Sequence, residues 1–450
     1  MVKPRVGDDG FTVVEVVVAI TVLVIALAGA AALFQNGIIV SGNTRNRVVA
    51  AQLATEALER VRGTAADPTK FTSITVGQTV YTRTVNGLKF LVTQDVQFVG
   101  QRSTQSSCDS PGSNNGQIMQ VTAAVSWIGM AGTKPVQQTT ALSPPVGAYS
   151  ASTGSIAVKV YNSSGGVSQN INVQVQGPLT QTQQTTAEGC AFFPFLDTGT
   201  YAVSVIEGTG VGDQENITPA QNTSVSVGQT ASLLFNYDQA STINVTGWAN
   251  SVATPATGIP LSVANTGLQP YSQYSYTTGL SSLTPLYPYA NGYTVFAGNC
   301  TDNSPVGKDT NRNLFYATGA PAPLGVSAGG TVTTTVPLYT LPVLVKNTSN
   351  VVVAGATVTA AESTSFPTPY SAVCTSGTGT GTAPTLGLVT TDAAGNSVTA
   401  VPLGHWTITA RSGTKVGSVN VWVKPDAVYA VNSSGASTTA YAAPVPVVVS

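Results

Sequence analysis

The sequence predicts a mainly β protein with one long N-terminal α-helix, and three observations support this fold class. An almost purely aliphatic run occupies residues 11–34, and an apolar stripe at helical spacing follows at residues 50–61. After residue 63 the chain is rich in Gly, Ser, Thr, Val and Asn, without long amphipathic helical patterns. A strand with a central aromatic residue then recurs three times. We therefore expect one helix, a small head and three tandem β-sandwich domains.

Length and composition limit the class of protein further. A chain of 450 residues is too long for one typical domain, since a domain has roughly 150 residues. Only 8% of the residues are charged and the net charge is -1. Nucleic-acid binding requires a basic surface, so we expect no nucleic-acid partner.

The apolar run at residues 11–34 is long enough to cross a membrane as a helix. At about 1.5 Å per residue, such a helix exceeds the hydrocarbon core of roughly 30 Å. Glu15 lies inside this run. An ionised side chain at mid-bilayer costs roughly 2.5 to 3.5 kcal/mol, so Glu15 indicates a function and requires a partner.

Two ordinary interpretations of the run leave Glu15 unexplained. A secretory signal peptide would use the basic Lys3 and Arg5 and a cleavage site at residues 28–30, but the run exceeds the usual apolar region of about 7 to 15 residues. A plain membrane anchor is the second interpretation. Neither of them requires a carboxylate in the apolar segment.

The residues around Glu15 carry a resemblance to a known family. Gly10, Phe11, Thr12, two aliphatic residues and Glu15, ahead of an apolar helix, resemble the N-terminal motif of type IV prepilins and of type II secretion pseudopilins. The resemblance implies cleavage after Gly10 by a membrane-embedded prepilin peptidase, so that residues 1–10 form a leader. It also implies N-methylation of Phe11, and pairing of Glu15 with the terminal amine of a neighbouring subunit during filament assembly.

The same resemblance implies the partners and the location. The partners would be the prepilin peptidase and other pilin subunits, which would contact the N-terminal helix. The chain would cross the cell membrane once before assembly and would lie in an extracellular filament at the cell surface afterwards. Asp8 and Asp9 adjoin the cleavage site, where we expect a more basic leader.

The helix is expected to continue beyond the membrane run and to cover residues 11–62. Glu56 and Arg60 form an i, i+4 pair on its polar face. Gly37 and Gly42 weaken its middle, where we expect a kink or a locally melted turn. The opposite, apolar face of its second half consists of Ala50, Leu53, Ala54, Ala57, Leu58 and Val61.

Residues 63–147 are predicted to form a small β head. Asn86-Gly87 separates two β-rich runs, which is a strong signal for a two-residue hairpin. A second strand pair is predicted at residues 118–127 and 136–142. This segment resembles the compact heads of prepilins from Gram-positive bacteria, which implies a pilin-like α+β head.

Three repeats follow, at residues 148–240, 241–340 and 341–450. Each has a Thr-Thr pair and, 15 residues after its second threonine, an aromatic residue in a strand. Repeats of roughly 90 to 110 residues suit tandem sandwich domains better than solenoid repeats. The aromatic residues are Tyr201, Tyr293 and Trp406.

The first and third repeats resemble the carboxypeptidase-regulatory-like, transthyretin-like domains of surface proteins. The resemblance rests on the opening strand, the stretches TTAEGCAFF and TTDAAGNSV, and the Gly-x-aromatic strand. It implies a seven-stranded, immunoglobulin-like or transthyretin-like β-sandwich that serves as a spacer or binding module and has no catalytic role.

The four cysteines, Cys108, Cys190, Cys300 and Cys374, allow three disulfide connectivities. Export of the chain would permit disulfides. Because Cys300 follows a predicted strand and Cys374 lies in a long loop of the next repeat, we favour their pairing. Cys108 and Cys190 would then be the remaining pair.

The sequence offers little for catalysis, and we expect no enzymatic activity, cofactor or metal. The single histidine, His405, lies in a predicted strand. Ser327, in the pentapeptide GVSAG, lacks the following helix that a nucleophile elbow needs. Residues 309–313 begin like a calcium-binding loop but lack its glycine and its bidentate glutamate.

Together these features favour a large minor type IV pilin-like protein, assembled into or at the tip of a surface filament. Its sandwiches would act as a stalk or an adhesive region, for a ligand that the sequence does not identify. Two alternatives remain open. One is a pseudopilin of a type II secretion-like system. The other is a membrane-anchored surface protein that does not polymerise, in which Glu15 would be dispensable.

Overall fold

The chain folds as the sequence predicts at the level of class: mainly β, with one long N-terminal helix. By their contacts, residues 1–154 with 227–229 form one compact unit, and residues 155–226 with 230–450 form a second. The computed structural model describes residues 12–99, 108, 118–130, 134–145, 152–249, 253–268, 273–278, 280–304, 306–308, 314–316, 322–363, 366, 374–376, 379–380, 382–442 and 444–450.

The helix α1 spans Val13–Ala65 and a short helix α2, Pro68–Phe71, follows it. The prediction of a locally melted turn is wrong, because α1 runs without interruption through Gly37 and Gly42. Each isolated glycine costs only about 1 kcal/mol in a helix, and the long helix-forming stretches on both sides keep the hydrogen-bond ladder intact. The helix also ends three residues later than the predicted position at Arg62.

A four-stranded antiparallel sheet follows, with its strands in chain order. The predicted hairpin is confirmed: Val85 pairs with Leu88 across Asn86 and Gly87, whose φ angles of 52° and 79° suit a two-residue turn. The second predicted strand pair is also confirmed. The strands are β1 Gly77–Val85, β2 Leu88–Val99, β3 Ile118–Trp127 and β4 Val136–Leu142.

The second half of α1 packs against this sheet through the predicted apolar stripe. Polar contacts between α1 and β4 lie beside this apolar stripe. Thr55 Oγ1 lies 2.9 Å from Gln138 Oε1, and an Arg62 guanidinium nitrogen donates to Thr140 Oγ1 at 2.6 Å. Leu53 is half-buried. The fully buried members of the stripe are Ala50, Ala54, Ala57, Leu58 and Val61.

The polar face of α1 carries the predicted ion pair. Arg60 lies 2.9 Å from Glu56, which confirms the i, i+4 prediction, and Arg83 of β1 approaches the same carboxylate at 3.4 Å. All three side chains are about half exposed, so these pairs contribute little to stability.

The first repeat is a sandwich of two four-stranded sheets, β10-β12-β5-β8 and β11-β9-β6-β7. It has eight strands where the resemblance implies seven, because the three-residue β10 adds to one edge of β12. The strands are β5 Thr153–Tyr161, β6 Asn172–Gln176, β7 Gln181–Gln184, β8 Cys190–Asp197, β9 Gly199–Val205, β10 Gly210–Gly212, β11 Ala220–Val225 and β12 Thr230–Gln239.

The second repeat contains two three-stranded sheets, β17-β13-β21 and β16-β15-β18, and a two-stranded ribbon, β19-β20. Its strands are β13 Ser241–Ala249, β14 Thr254–Pro255, β15 Pro260–Ala264, β16 Gln273–Thr278, β17 Ser282–Leu286, β18 Thr294–Ala297, β19 Val306–Lys308, β20 Leu314–Tyr316 and β21 Thr331–Pro337.

The third repeat combines the sheet β14-β27-β22-β32 with a six-stranded sheet, β26-β23-β28-β29-β30-β31, and a small ribbon, β24-β25. Its strands are β22 Tyr339–Asn347, β23 Thr357–Glu362, β24 Thr375–Ser376, β25 Gly379–Thr380, β26 Thr385–Gly387, β27 Asn396–Val401, β28 Gly404–Ser412, β29 Lys415–Val423, β30 Val428–Val431, β31 Ser437–Ala440 and β32 Val445–Val449.

The three repeats share one topological feature. The opening strand of each pairs in parallel with its last strand: β5 with β12, β13 with β21, and β22 with β32. The second and third repeats are also joined to each other, because β14 pairs with β27 and one buried apolar cluster draws residues from both repeats.

Candidate functional site

The start of α1 is fixed by a reciprocal cap between Thr12 and Glu15. The Glu15 backbone N–H donates to Thr12 Oγ1 at 3.3 Å, and Glu15 Oε2 accepts from the Thr12 backbone N–H at 3.1 Å. A carboxylate in the first helical turn also meets the positive end of the helix dipole. In the single chain, therefore, the partner of Glu15 is the N-terminus of its own helix.

This local partner was readable from the sequence as a Thr-x-x-Glu pattern just before an apolar run, which is the signature of a capping box. The prepilin resemblance implies only an intermolecular partner for Glu15. The structure adds the cap. Gly10 and Phe11, the predicted cleavage and methylation site, lie outside the described residues.

The first half of α1 presents its apolar side chains to the surroundings. Val13 is 81% exposed and Phe34 is 74% exposed, in contrast with the buried stripe of the second half. By length and composition, α1 is the one helix among the described residues that could cross a membrane. An N-terminal apolar helix of this kind suits a membrane anchor or a signal segment.

The structure joins Cys300 to Cys374 by a disulfide that closes a separation of 74 residues. Both side chains are buried. Cys108 and Cys190 are disulfide-bonded as well.

His405 is fully buried in β28, and both of its ring nitrogens face hydrogen-bond acceptors. Nδ1 lies 2.6 Å from Asp302 Oδ2, and Nε2 lies 2.8 Å from the Gly435 carbonyl oxygen. The ring stacks on Trp422 with a centroid distance of 4.2 Å. Because Nε2 is occupied by a backbone carbonyl, this Asp-His pair has a structural role. The sequence does not predict this pair, because its members lie 103 positions apart.

A buried carboxyl group, Glu362, lies beside this pair. Asn303 Nδ2 donates to Glu362 Oε2 at 2.9 Å and to the Leu403 carbonyl oxygen at 2.7 Å. Burial, and then the negative charge of Asp302, raise the pKa of Glu362 well above its usual value. Asp302 and Asn303 belong to the second repeat and Glu362 to the third, so these contacts connect the two repeats.

Of the two remaining sequence candidates, Ser327 and residues 309–313, the structure describes Ser327. Ser327 lies ahead of a turn that leads into the strand β21, and its carbonyl oxygen accepts from Ser241 Oγ at 2.8 Å. Residues 309–313 lie outside the described residues. Within the residues described, no group of three His, Cys, Asp or Glu side chains is arranged to hold a metal ion.

The structure thus defines a mainly β protein in which one helix has an exposed apolar half and a packed half. No protein-family model matches the chain, and no curated protein matches it. Similarity to solved structures is weak, and TM-scores as low as those below do not establish a shared fold.

Three of these solved structures are as follows. The TIE protein of Bacillus anthracis shows 12% identity and a TM-score of 0.19, and the match covers 84% of this chain and 76% of the TIE chain. BcpA, the major pilin subunit of Bacillus cereus, shows 9% identity and a TM-score of 0.18, and the match covers 65% of this chain and 94% of the BcpA chain. A minor pilin of Streptococcus agalactiae shows 8% identity and a TM-score of 0.18, and the match covers 41% of this chain and 95% of the minor pilin chain.

Proposed function

We propose that this chain is a large minor type IV pilin-like subunit, which enters a surface filament through α1 and carries its three sandwiches as a stalk or adhesive region. One observation carries the proposal: α1 has two environments. Its second half is buried on the β1–β4 sheet, whereas its first half exposes an apolar surface with a single carboxylate, Glu15, in its first turn. A helix that only packs on its own domain has no use for the exposed half.

Glu15 would act by exchanging partners. In the membrane-inserted chain the capping box with Thr12 satisfies the carboxylate locally, which lowers the cost of holding it at the apolar boundary. After cleavage behind Gly10, the new ammonium group at Phe11 of a neighbouring subunit becomes the stronger partner. Pairing the two charges neutralises both in a low-dielectric setting and fixes the axial offset between subunits.

The size of the chain beyond the head supports a tip or low-copy position. Residues 148–450 follow the predicted head. In a helical fibre each subunit is surrounded by neighbours, and three sandwiches on every subunit would collide. At a tip the same sandwiches would extend freely.

The test compares Glu15→Gln, Glu15→Val and a matched control, Glu56→Gln, which neutralises a half-exposed carboxylate on the packed half of the same helix. Glutamine at the third helical position still completes a capping box, so Glu15→Gln removes the charge and keeps the cap. We expect all three variants to insert in the membrane and to be cleaved after Gly10. Both Glu15 variants should be lost from sheared filaments, and Glu56→Gln should enter them normally.

Incorporation of Glu15→Gln in the wild-type proportion would reject the charge-pairing mechanism. Absence of the wild-type chain itself from sheared filaments would favour the alternative in which the helix only tethers a surface protein. The capping box favours that alternative, because it gives Glu15 a partner without a second subunit. N-terminal mass spectrometry should find methylated Phe11, whereas a chain that starts at Ala31 would indicate a cleaved signal peptide.

A further inference from the structure

Glu215 connects the first and second repeats through a buried hydrogen-bond cluster. It lies in the loop between β10 and β11, with a φ of 57°, and only 5% of its surface is exposed. Its carboxyl group reaches into the second repeat. Oε2 accepts from the Tyr287 backbone N–H at 2.8 Å, and Oε1 contacts the Tyr293 hydroxyl.

The hydrogen-bond pattern around Tyr293 indicates the protonation state of Glu215. The Tyr293 hydroxyl oxygen also lies 2.6 Å from the Tyr287 carbonyl oxygen, which can only accept. The hydroxyl has one proton and cannot donate to the carbonyl and to a carboxylate at once. Both contacts are hydrogen bonds if Glu215 is a neutral acid that donates to Tyr293, while Tyr293 donates to the Tyr287 carbonyl.

The surroundings also disfavour an ionised Glu215. Burial, first, and the negative charge of Asp213 raise the pKa of Glu215 to about 8, although its hydrogen bonds with Tyr293 and Tyr287 act to lower it. The other charge that acts on the tyrosines of this cluster is the carboxylate of Asp238. Among the described residues, therefore, the charged groups that act on the cluster are all acidic.

The neighbouring residues of the same loop complete the contact between the repeats. Gln214 Nε2 donates to the Gly267 carbonyl oxygen at 2.9 Å, and the Tyr289 hydroxyl donates to the Asp213 carbonyl oxygen. The rings of Tyr287, Tyr289 and Tyr293 pack edge to face, with centroid distances of 4.9 and 5.7 Å. Three consecutive residues of one loop thus dock on a tyrosine cluster of the next repeat.

We infer that Glu215 is a pH-sensitive lock on the joint between the first and second sandwiches, closed when its carboxyl group is neutral and released when it ionises. An ionised Glu215 would draw the Tyr293 proton away from the Tyr287 carbonyl and would place a second negative charge beside Asp213. The loop would then leave the tyrosine cluster and the joint would become flexible. The lock involves only residues of the repeats, so it does not depend on whether the chain polymerises.

The experiment measures the flexibility of the joint in the full chain in detergent, by the width of the distance distribution between two spin labels. The labels are noncanonical amino acids at Leu179 and Leu280, which are 67% and 46% exposed, so that the disulfides stay intact. We expect a narrow distribution at about pH 6 and a broad one at about pH 10, with a midpoint near the pKa of about 8.

Two variants and a control make the outcome specific. Glu215→Gln cannot ionise, and its amide can donate to Tyr293, so its distribution should stay narrow at both pH values. The negative charge of Asp213 raises the pKa of Glu215 in the wild type. Asp213→Asn removes that charge, so the midpoint should move while the pH curve keeps its shape.

In Asp213→Asn the midpoint should move to a lower pH. Without the neighbouring negative charge Glu215 ionises more easily, so the joint should loosen at a lower pH than in the wild type. The control is Glu188→Gln, which changes an exposed carboxylate of the same repeat and should behave like the wild type. Circular dichroism at each pH shows that the sandwiches remain folded while the distribution changes.

A wild-type distribution whose width does not change with pH would overturn the lock. Equal broadening in Glu215→Gln and in the wild type would overturn it as well, because another group would then be responsible. If Glu215→Gln fails to fold, Asp213→Asn decides the question, since a midpoint that is unchanged or moves upward contradicts the role of Glu215.

Discussion

Two buried acidic side chains, Glu215 and Glu362, lie where successive repeats meet, and both have a raised pKa because of burial. Each contacts polar groups of the neighbouring repeat: Tyr287 and Tyr293 for Glu215, and Asn303 for Glu362. A neutral carboxyl group can donate and accept, so it can join two surfaces without a buried counter-ion.

The raised pKa of Glu215 predicts a pH dependence of stability. Its folded pKa of about 8 exceeds the usual 4.5, so the folded state holds a proton that the unfolded state releases in this interval. Glu215 contributes fully to the free energy of unfolding below pH 4.5. This contribution falls by at most about 1.4 kcal/mol per pH unit and is lost as the pH rises through about 8. The melting temperature of Glu215→Gln minus that of the wild type should therefore increase across this interval and level off above it. A constant difference would contradict the prediction.

His405 predicts a second effect at the residue scale. His405→Phe keeps a ring beside Trp422 but leaves the Asp302 carboxylate without its ring partner. Breaking one side of a buried polar pair costs about 3 kcal/mol or more, which urea unfolding measures. The double variant with Asp302→Asn should lose less than the sum of the two single variants. Additive losses would show that the two side chains do not interact.

Contacts between residues close in sequence were predictable, whereas contacts between repeats were not. The capping box of Thr12 and Glu15 spans three positions, so a local pattern was sufficient to find it. The pair of His405 and Asp302 joins two repeats across 103 positions, and Glu215 meets Tyr293 across 78. Such contacts depend on how folded repeats dock, which no local pattern encodes.

At the scale of elements, the first and third repeats share a buried threonine with the same bonding. Thr185 Oγ1 donates to the Ser168 carbonyl oxygen at 2.6 Å, and Thr391 Oγ1 donates to the Val353 carbonyl oxygen at 2.7 Å. In the sequence, equal spacing to the aromatic residue matched Thr391 with Thr186. The structure matches Thr391 with Thr185.

The offset of one residue has a local cause. Tyr201 follows Gly189 by 12 residues, whereas Trp406 follows Gly395 by 11. Phe195, in β8 of the first repeat, has a positive φ of 57°, and the corresponding strand β27 of the third repeat has no such residue. The repeat was therefore predictable from its pattern, but its residue-by-residue alignment was not.

The shared threonine supports a prediction with a built-in control. Thr391 Oγ1 also accepts from the Ala356 backbone N–H at 2.8 Å, so Thr391→Val leaves a buried N–H and a buried carbonyl without this partner. We expect a loss of about 1 to 3 kcal/mol in the free energy of unfolding. Thr390→Val changes the adjacent, exposed threonine and should stay within about 0.5 kcal/mol of the wild type. Equal effects of the two variants would contradict the structural role.

At the scale of the whole molecule, the chain forms two compact units. The head lies in one compact unit, and most of the three repeats lie in the other. The predicted boundary between the second and third repeats crosses a continuous buried cluster, because β14 leaves its own repeat to pair with β27. A two-residue strand has too little pattern to be predicted, whereas the repeated strands and their spacing predict separate sandwiches.

The two units lead to a prediction about the disulfide at Cys300 and Cys374. This bond closes 74 residues within the second unit, and a loop of that length contributes up to about 4 kcal/mol in the chain-entropy account. The double variant Cys300→Ser and Cys374→Ser should lower the unfolding temperature of the second unit in calorimetry and leave that of the first unit unchanged.

Since α1 belongs to the first unit, the proposed function also predicts normal cleavage after Gly10 and normal filament incorporation at temperatures where the second unit is folded. A double variant in which both unfolding temperatures fall, or in which cleavage after Gly10 fails, would show that the repeats and the assembly helix depend on each other. The proposal that the helix assembles independently of the sandwiches would then be wrong.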